Sequence, residues 1–276
     1  MPEGPEVRRA ADQIERAVMG APLREVFFAF ERLEEWGEHF LGDEGVRGET
    51  YGKALGIVLA CGYAVYTHNQ LFGMWQIRRA GVFPKTNRQL RFMVTTDAKS
   101  AQLYSASQIE VLHRDELAQH AYIAKLGPDP LRDDVSAATI REHLRKKRFA
   151  RRQLGALLLD QGFVAGVGNY MRSEILFEAG LAPEHRLSEL DDPRVERLAE
   201  VIYGLSHRAY RKRGFTLDDE LAARLKREGA DRRDRRHYVF ARSRRRCYRC
   251  QSVIERIEFA NRRLYRCAEC QRSPNA

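Results

Sequence analysis

The chain has 276 residues, 43% of them hydrophobic and 31% charged, which suits a soluble globular protein with a sizeable core and allows two domains, or one with a small appendage. It has no run of eighteen apolar residues and no basic segment leading into an apolar one at its start, so a transmembrane helix and a secretion signal are not expected and the expected address is cytoplasmic. Its net charge of +10 becomes informative where that charge is concentrated, because a basic domain beside a neutral one is the footprint of a polyanion partner.

Across MPEGPEVRRAADQIERAVMG, Val7, Ala10, Ile14 and Val18 recur at helical spacing. Pro5 suits a first turn and Gly20 a stop, so the spacing predicts a helix over residues 5–19. From Leu23 to about Tyr104 the texture is β. VFFAF, ALGIVLA, YAVYTH, MWQI, LRFMVTT and AQLYSA are short, β-branched or aromatic, and separated by glycine or charged turns. They predict a sandwich or barrel-like domain over 1–125 with the first helix packed on it. LGPDPLRDD has the composition of a linker, placed at 126–135. Helical patterns come next in SAATIREHLRKK, in RRQLGALLLDQGFVAGVGNYMRSEILFEAGLAP and in DDPRVERLAEVIYGLSHRAYRKR, giving a helical domain over 136–225. Residues 217–246 are polar and basic without clear periodicity, and 226–276 form a basic segment ending in four cysteines. Between Lys226 and Arg272 stand 16 Lys and Arg against 6 Asp and Glu, the whole surplus of the chain. All but Lys226 are arginine, whose guanidinium fork fits phosphate oxygens. A solvated arginine-rich surface is the plainer account of such a run. The expected class is α+β.

Cys247, Cys250, Cys267 and Cys270 have the spacing C-x2-C, sixteen residues, C-x2-C. Two such knuckles can turn four thiolates onto one tetrahedral zinc ion. Disulfides are disfavoured in a cytosolic chain, and a closed four-sulfur site makes the zinc structural. SVIERIEFANRRLYR, between the knuckles, reads as two strands around a turn at Ala260–Arg262. Cys61, in ALGIVLACGYAVYTH, reads as a buried core residue. AGVGNYMR at 165–172 is either a plain connection between helices, the better account of its glycines alone, or a turn whose N–H groups cradle a phosphate, which Asn169 and the basic KKRFARR raise to an equal reading. HNQLFGMW at 68–75 is either a strand and turn with Leu71 and Phe72 in the core, or an exposed loop whose Gln70, Leu71 and Phe72 wedge into a base stack.

The opening PEGPE has two readings. Acids and a proline favour a helix N-terminus. Removal of Met1 would also make Pro2 the terminal residue. A free α-amine has a pKa of about 7.7–8.0 against about 10.4 for lysine, so far more of it is neutral at pH 7. A secondary amine attacking an anomeric carbon gives an iminium ion directly, an electron sink for elimination. Glu3 stands beside it as a candidate general acid. On those residues alone, the helix start is the better account.

Taken in order, MPEGPEVRRAA, YGKAL at 51–55, HNQLFGMW, LLLDQGFVAGVGNYMRSEIL at 157–176 and the four-cysteine hairpin resemble the formamidopyrimidine-DNA glycosylase and endonuclease VIII family of base-excision repair enzymes. Gly4 and the contiguous Gln70-Leu71-Phe72 resemble its endonuclease VIII branch, directed at oxidised pyrimidines. The resemblance implies an N-terminal β-sandwich, a helix-two-turns-helix domain and a zinc hairpin. It further implies Pro2 as Schiff-base nucleophile, Glu3 as general acid and Lys53 as a catalytic lysine that contacts phosphate. Glu6 and Glu174 match acids that support the active site. Gln70, Leu71 and Phe72 match the wedge, with Phe72 where that branch commonly has tyrosine. Asn169 and Arg262 match DNA-binding residues, and Arg263 adjoins the latter. The implied partner is double-stranded DNA with oxidised bases or abasic sites, acted on by a monomer with one structural zinc. Two rivals remain open from sequence: the same chemistry directed at oxidised purines, and a non-enzymatic zinc-ribbon protein that binds nucleic acid.

Overall fold

Helix α1 (Gly4–Val18) begins with Pro5 in its first turn, where a missing N–H costs nothing. The Glu6 carboxylate accepts the N–H of Glu3 at 3.1 Å, which satisfies a donor that the helix start leaves open. Val7, Ala11, Ile14 and Val18 line one face and are fully buried. That face packs into a core shared by two antiparallel four-stranded sheets. One sheet has the order β2 (Gly45–Tyr51), β3 (Ala54–Leu59), β4 (Tyr63–His68), β8 (Gln108–His113). The other has β1 (Glu25–Phe28), β6 (Leu90–Thr95), β7 (Lys99–Tyr104), β5 (Met74–Arg79). Leu55, Ile57 and Val65 from the first sheet meet Phe92, Val94 and Leu103 from the second. The result is the expected sandwich.

The computed structural model describes residues 2–272, and the chain divides into two units, 1–125 and 126–276. In the first, β2 and β8 escape the sequence pattern. GVRGETY carries two glycines and two charges, and it becomes a strand by pairing with β3 and taking α1 against its face. A short helix, α2 (Glu35–His39), is a further addition. Cys61 corrects the sequence reading: it is exposed, because β3 ends at Leu59 and the Asp43 carboxylate caps the following turn by accepting the N–H groups of Ala60 and Cys61 at 3.0 Å.

The second unit holds α3 (Ala137–Leu144), α4 (Leu154–Leu157), α5 (Asn169–Ala179), α6 (Asp192–Arg211), α7 (Asp219–Arg227) and the hairpin β9 (Glu255–Phe259), β10 (Arg262–Arg266). Helix α7 lies in the stretch without periodicity. It buries Leu225 and is started by the Asp218 carboxylate, which accepts the N–H of Leu221 at 2.7 Å. Leu264 of the hairpin sits in the core of α3 to α6. Gly155 of α4 lets the Phe259 ring close in: a Cβ there would meet that ring at 2.7 Å. Among the described residues, no helix is long and apolar enough to cross a membrane.

Candidate active site and DNA interface

Within the first unit, two contacts fix how α1 lies on β2. Met19 bridges to Gly45, and a Cβ at Gly48 would meet the Ala11 carbonyl oxygen at 3.1 Å. Continuing this register, the ~12 Å of helix from Ala11 back to Glu3 runs beside the ~10 Å of strand from Gly48 to Tyr51. The N-terminal end of α1 thus points toward the end of β2 that leads into the Gly52–Lys53 turn. Glu3 is only 3% exposed and Lys53 8%, unusual burial for both side chains, while Pro2 is half-buried. Met1, whose removal the nucleophile reading requires, lies outside the described residues.

The Lys53 N–H donates to the Tyr122 hydroxyl at 3.3 Å, and the His68 ring meets the Tyr122 ring edge-on at 5.3 Å. Burial, with the Lys53 charge second, holds the His68 pKa below its ordinary value. A neutral His68 suits its contact, since its Nδ1 accepts the Gln70 N–H at 3.1 Å. Gln70 opens the β4–β5 turn in left-handed backbone at φ 48. Leu71 and Phe72 come next, 58% and 68% exposed. The core reading of this segment is thereby set aside: the two apolar side chains stand in solvent.

In the second unit, α4 and α5 are joined by two turns that the Gln161 side chain ties together. Gln161 accepts the Gly166 N–H at 3.0 Å and donates to the Val167 carbonyl at 2.9 Å. This sets Asn169 at the first position of α5, after Gly168. Its amide donates to the Arg263 carbonyl at 2.8 Å, so α5's start and the hairpin tip meet. Arg172, one turn on and fully buried, donates to Asn169 Oδ1 at 2.8 Å and to the carbonyls of Gly155 at 3.0 Å and Phe259 at 3.2 Å. The tip itself is a two-residue turn, Ala260 and Asn261 at φ 52 and 56, which presents Arg262 and Arg263 to solvent.

Glu174 is also fully buried. It accepts the N–H groups of Tyr238, Val239 and Phe240, each at 2.8 Å, and the Thr216 hydroxyl at 2.6 Å. Burial pushes its carboxyl above the usual range, against the pull of those donors. These contacts order the segment that leads into the cysteines. The Sγ atoms of Cys247, Cys250, Cys267 and Cys270 all lie within 4.8 Å of one another. Tetrahedral zinc with Zn–S near 2.3 Å needs sulfurs roughly 3.8 Å apart, and pairs at 3.3 Å (Cys250–Cys267) and 3.9 Å (Cys247–Cys270) bracket that value. The donor set fits a structural zinc ion.

Arg172, Gln161 and Thr216 are absent from the sequence-derived site. Arg172 left a signal, being the one cation in the apolar run around NYMRSEIL; Gln161, which bonds across the turns, and Thr216, whose partner Glu174 lies 42 residues away, gave none.

The second unit carries the match to the family model described as the formamidopyrimidine-DNA glycosylase H2TH domain, over residues 126–219. The proteins named Endonuclease 8 of Klebsiella pneumoniae subsp. pneumoniae and of Escherichia coli are each 40% identical over 271 residues, 98% of this chain and 100% of theirs. The Lactococcus lactis Fpg (MutM) in complex with DNA containing N7-benzyl-Fapy-dG has the same fold, with TM-score 0.80, 20% identity, and 99% of this chain and 100% of that one covered. Lactococcus lactis Fpg with abasic-site DNA superposes with TM-score 0.79 at 20% identity, covering 98% of this chain and 100% of that chain. The chain belongs to the formamidopyrimidine-DNA glycosylase and endonuclease VIII family, in its endonuclease VIII branch.

Proposed function

We propose that the chain is a base-excision repair DNA glycosylase and AP lyase that removes oxidised pyrimidines from duplex DNA, working on the chromosome in the bacterial cytoplasm as a monomer. The observation that supports the chemistry is the burial of Glu3, at the start of α1, and of Lys53, in the turn that joins β2 to β3: two ionisable side chains held almost out of water. With Met1 removed, the Pro2 nitrogen attacks the sugar's anomeric carbon, and the glycosidic bond breaks as the base departs. Glu3 protonates the ring oxygen, and Glu6 holds Glu3 in place through its N–H. The resulting iminium acidifies the neighbouring sugar proton, so β- and then δ-elimination cleave the strand on both sides. Lys53 assists at the phosphate beside the lesion.

The reacting nucleotide must first leave the stack, at a cost of a few kcal/mol. Gln70, Leu71 and Phe72 fill the space it vacates. Asn169 and Arg262 hold phosphates, contacts that position the duplex without reading its sequence. The four cysteines would hold zinc, which supplies no chemistry to the substrate and keeps the hairpin tip in shape. Glu174 supports the site by ordering residues 238–240.

The test is borohydride trapping on an abasic duplex. Wild-type protein is expected to give a covalent adduct, and no adduct would reject the enzyme. Glu3→Gln should lose roughly 10²- to 10⁴-fold in base removal while cleaving abasic sites far better. Parallel assays on thymine glycol and 8-oxoguanine duplexes should favour the pyrimidine; a strong purine preference would overturn that specificity.

A further inference from the structure

The β4–β5 turn is held from outside by two residues on neighbouring loops, and we propose that Arg88 and Ser107 are positioning residues that lock Gln70, Leu71 and Phe72 in the inserting conformation before DNA arrives. This rests on the wedge role proposed for that turn.

The turn has reasons to be unstable by itself. Gln70 is in left-handed backbone, disfavoured for a side chain with a Cβ. Leu71 and Phe72 turn apolar surface to water. A free loop with these properties would move its apolar groups under cover and would have to be reordered at each binding event, residue by residue.

Besides the Gln70 N–H bond to His68 Nδ1, three hydrogen bonds oppose this. Arg88 Nη1 donates to the Phe72 carbonyl at 2.7 Å. The Ser107 hydroxyl donates to Gln70 Oε1 at 2.6 Å. The Gly73 N–H closes the turn onto the Asn69 carbonyl at 2.7 Å, an approach so close that a Cβ at Gly73 would meet Asn69 backbone atoms at 2.6 Å. Arg88 and Ser107 therefore grip the two ends of the triplet.

The arms that grip are themselves anchored. Arg88 lies on the β5–β6 loop, where its own N–H donates to the Thr86 hydroxyl at 3.2 Å. The same loop is tied down by Gln102 Nε2, donating to the Val82 carbonyl at 2.9 Å, and by the Ser105 N–H, donating to the Gln89 carbonyl at 2.9 Å. Ser107 lies on the short β7–β8 loop that also carries Ser105. Two loops that carry none of the wedge side chains thus fix a third that carries all of them. The contact made by Arg88 is to a backbone carbonyl, so it is indifferent to which side chain comes after Leu71. That accommodates phenylalanine in place of tyrosine.

The experiment compares Arg88→Met and Ser107→Ala with wild type on one lesion presented in duplex and in single-stranded DNA, with 2-aminopurine opposite the lesion to report insertion. A single strand has no gap to fill. Loss of one charge-assisted hydrogen bond should slow duplex excision about tenfold and reduce the 2-aminopurine change, while single-strand excision stays within about twofold. Ser107→Ala should do the same to a smaller degree. Neither variant should add to Phe72→Ala, since each acts through the turn. The salt slope of DNA binding separates bracing from phosphate contact: a lost phosphate contact would reduce it by about 0.9, and the bracing role leaves it unchanged. Equal losses on duplex and single strand, a reduced slope, or full additivity with Phe72→Ala would each overturn the proposal while leaving the enzyme reading intact. Failure of wild-type protein to excise or to be trapped would instead reject the reading beneath it.

Discussion

The β4–β5 turn and the tip of the β9–β10 hairpin are both tight, both contain left-handed backbone at non-glycine residues, and both push their side chains into solvent. The first exposes Leu71 and Phe72 and the second exposes Arg262 and Arg263. Each left-handed residue costs on the order of 1 kcal/mol, and in each case neighbours oppose the strain. Arg88, Ser107 and His68 hold the first turn; Asn169 and Arg172 hold the second. The scaffolding problem is therefore the same and the chemistry is opposite. In the function proposed here, the apolar tip fills a gap between bases, independently of salt, and the cationic tip displaces counterions, independently of sequence.

The largest expected effect comes from the foundation of each tip. The hairpin depends on its four cysteines, and structural zinc supplies about 10–16 kcal/mol of folding free energy in small fingers. Chelation or Cys250→Ser should therefore weaken binding to any duplex by a hundredfold or more, measured by fluorescence anisotropy. The β-sandwich signal in circular dichroism should survive, because the first unit has a core of its own. Simultaneous unfolding of both units would show that the two tips are not independently supported.

Next in size is the pair Arg262→Ala and Leu71→Ala. Arg262→Ala should weaken binding to damaged and undamaged duplexes alike, about tenfold, and lower the salt slope by about 0.9. Leu71→Ala should leave the slope and undamaged binding unchanged and slow duplex excision about tenfold. If both variants changed the slope equally, the division between apolar and cationic tips would be wrong.

The sequence made these two tips legible to different degrees. The cysteine spacing is a local code, and it announced the hairpin, its turn and the metal site together. The wedge triplet stayed ambiguous as a pattern, because Leu71 and Phe72 after a strand look like core, and only tertiary structure decides that they are exposed. The supports were least legible. Arg88 and Ser107 touch the turn from 16 and 37 residues away, and Arg172 reaches the hairpin across 87. Such contacts leave no periodicity. Cys61 misled for the opposite reason, since its apolar neighbours belong to strands that stop short of it.

The last effect is on stability and not on binding, and it concerns the support of the cationic side alone. His237, 5% exposed, faces the Thr216 hydroxyl at 3.1 Å through Nδ1, while that hydroxyl donates to Glu174. Burial, with the Arg236 charge second, lowers the His237 pKa from 6.5 to about 3. Between those values the unfolded chain binds the proton and the folded chain does not. Stability from this group is therefore complete above pH 6.5 and is lost as pH falls toward 3, reaching a loss of about 2 kcal/mol by pH 5. Glu174 opposes this, because its raised carboxyl takes up a proton in the folded state and gains stability as pH falls. Wild-type protein shows the difference between the two, and His237→Gln, which keeps a donor for Thr216, removes only the histidine contribution. Urea midpoints at pH 7 and pH 5 should show the variant losing about 2 kcal/mol less than wild type on acidification. Equal losses would mean that His237 already carries its proton in the folded protein, and that the segment feeding the hairpin is held by something other than this neutral network.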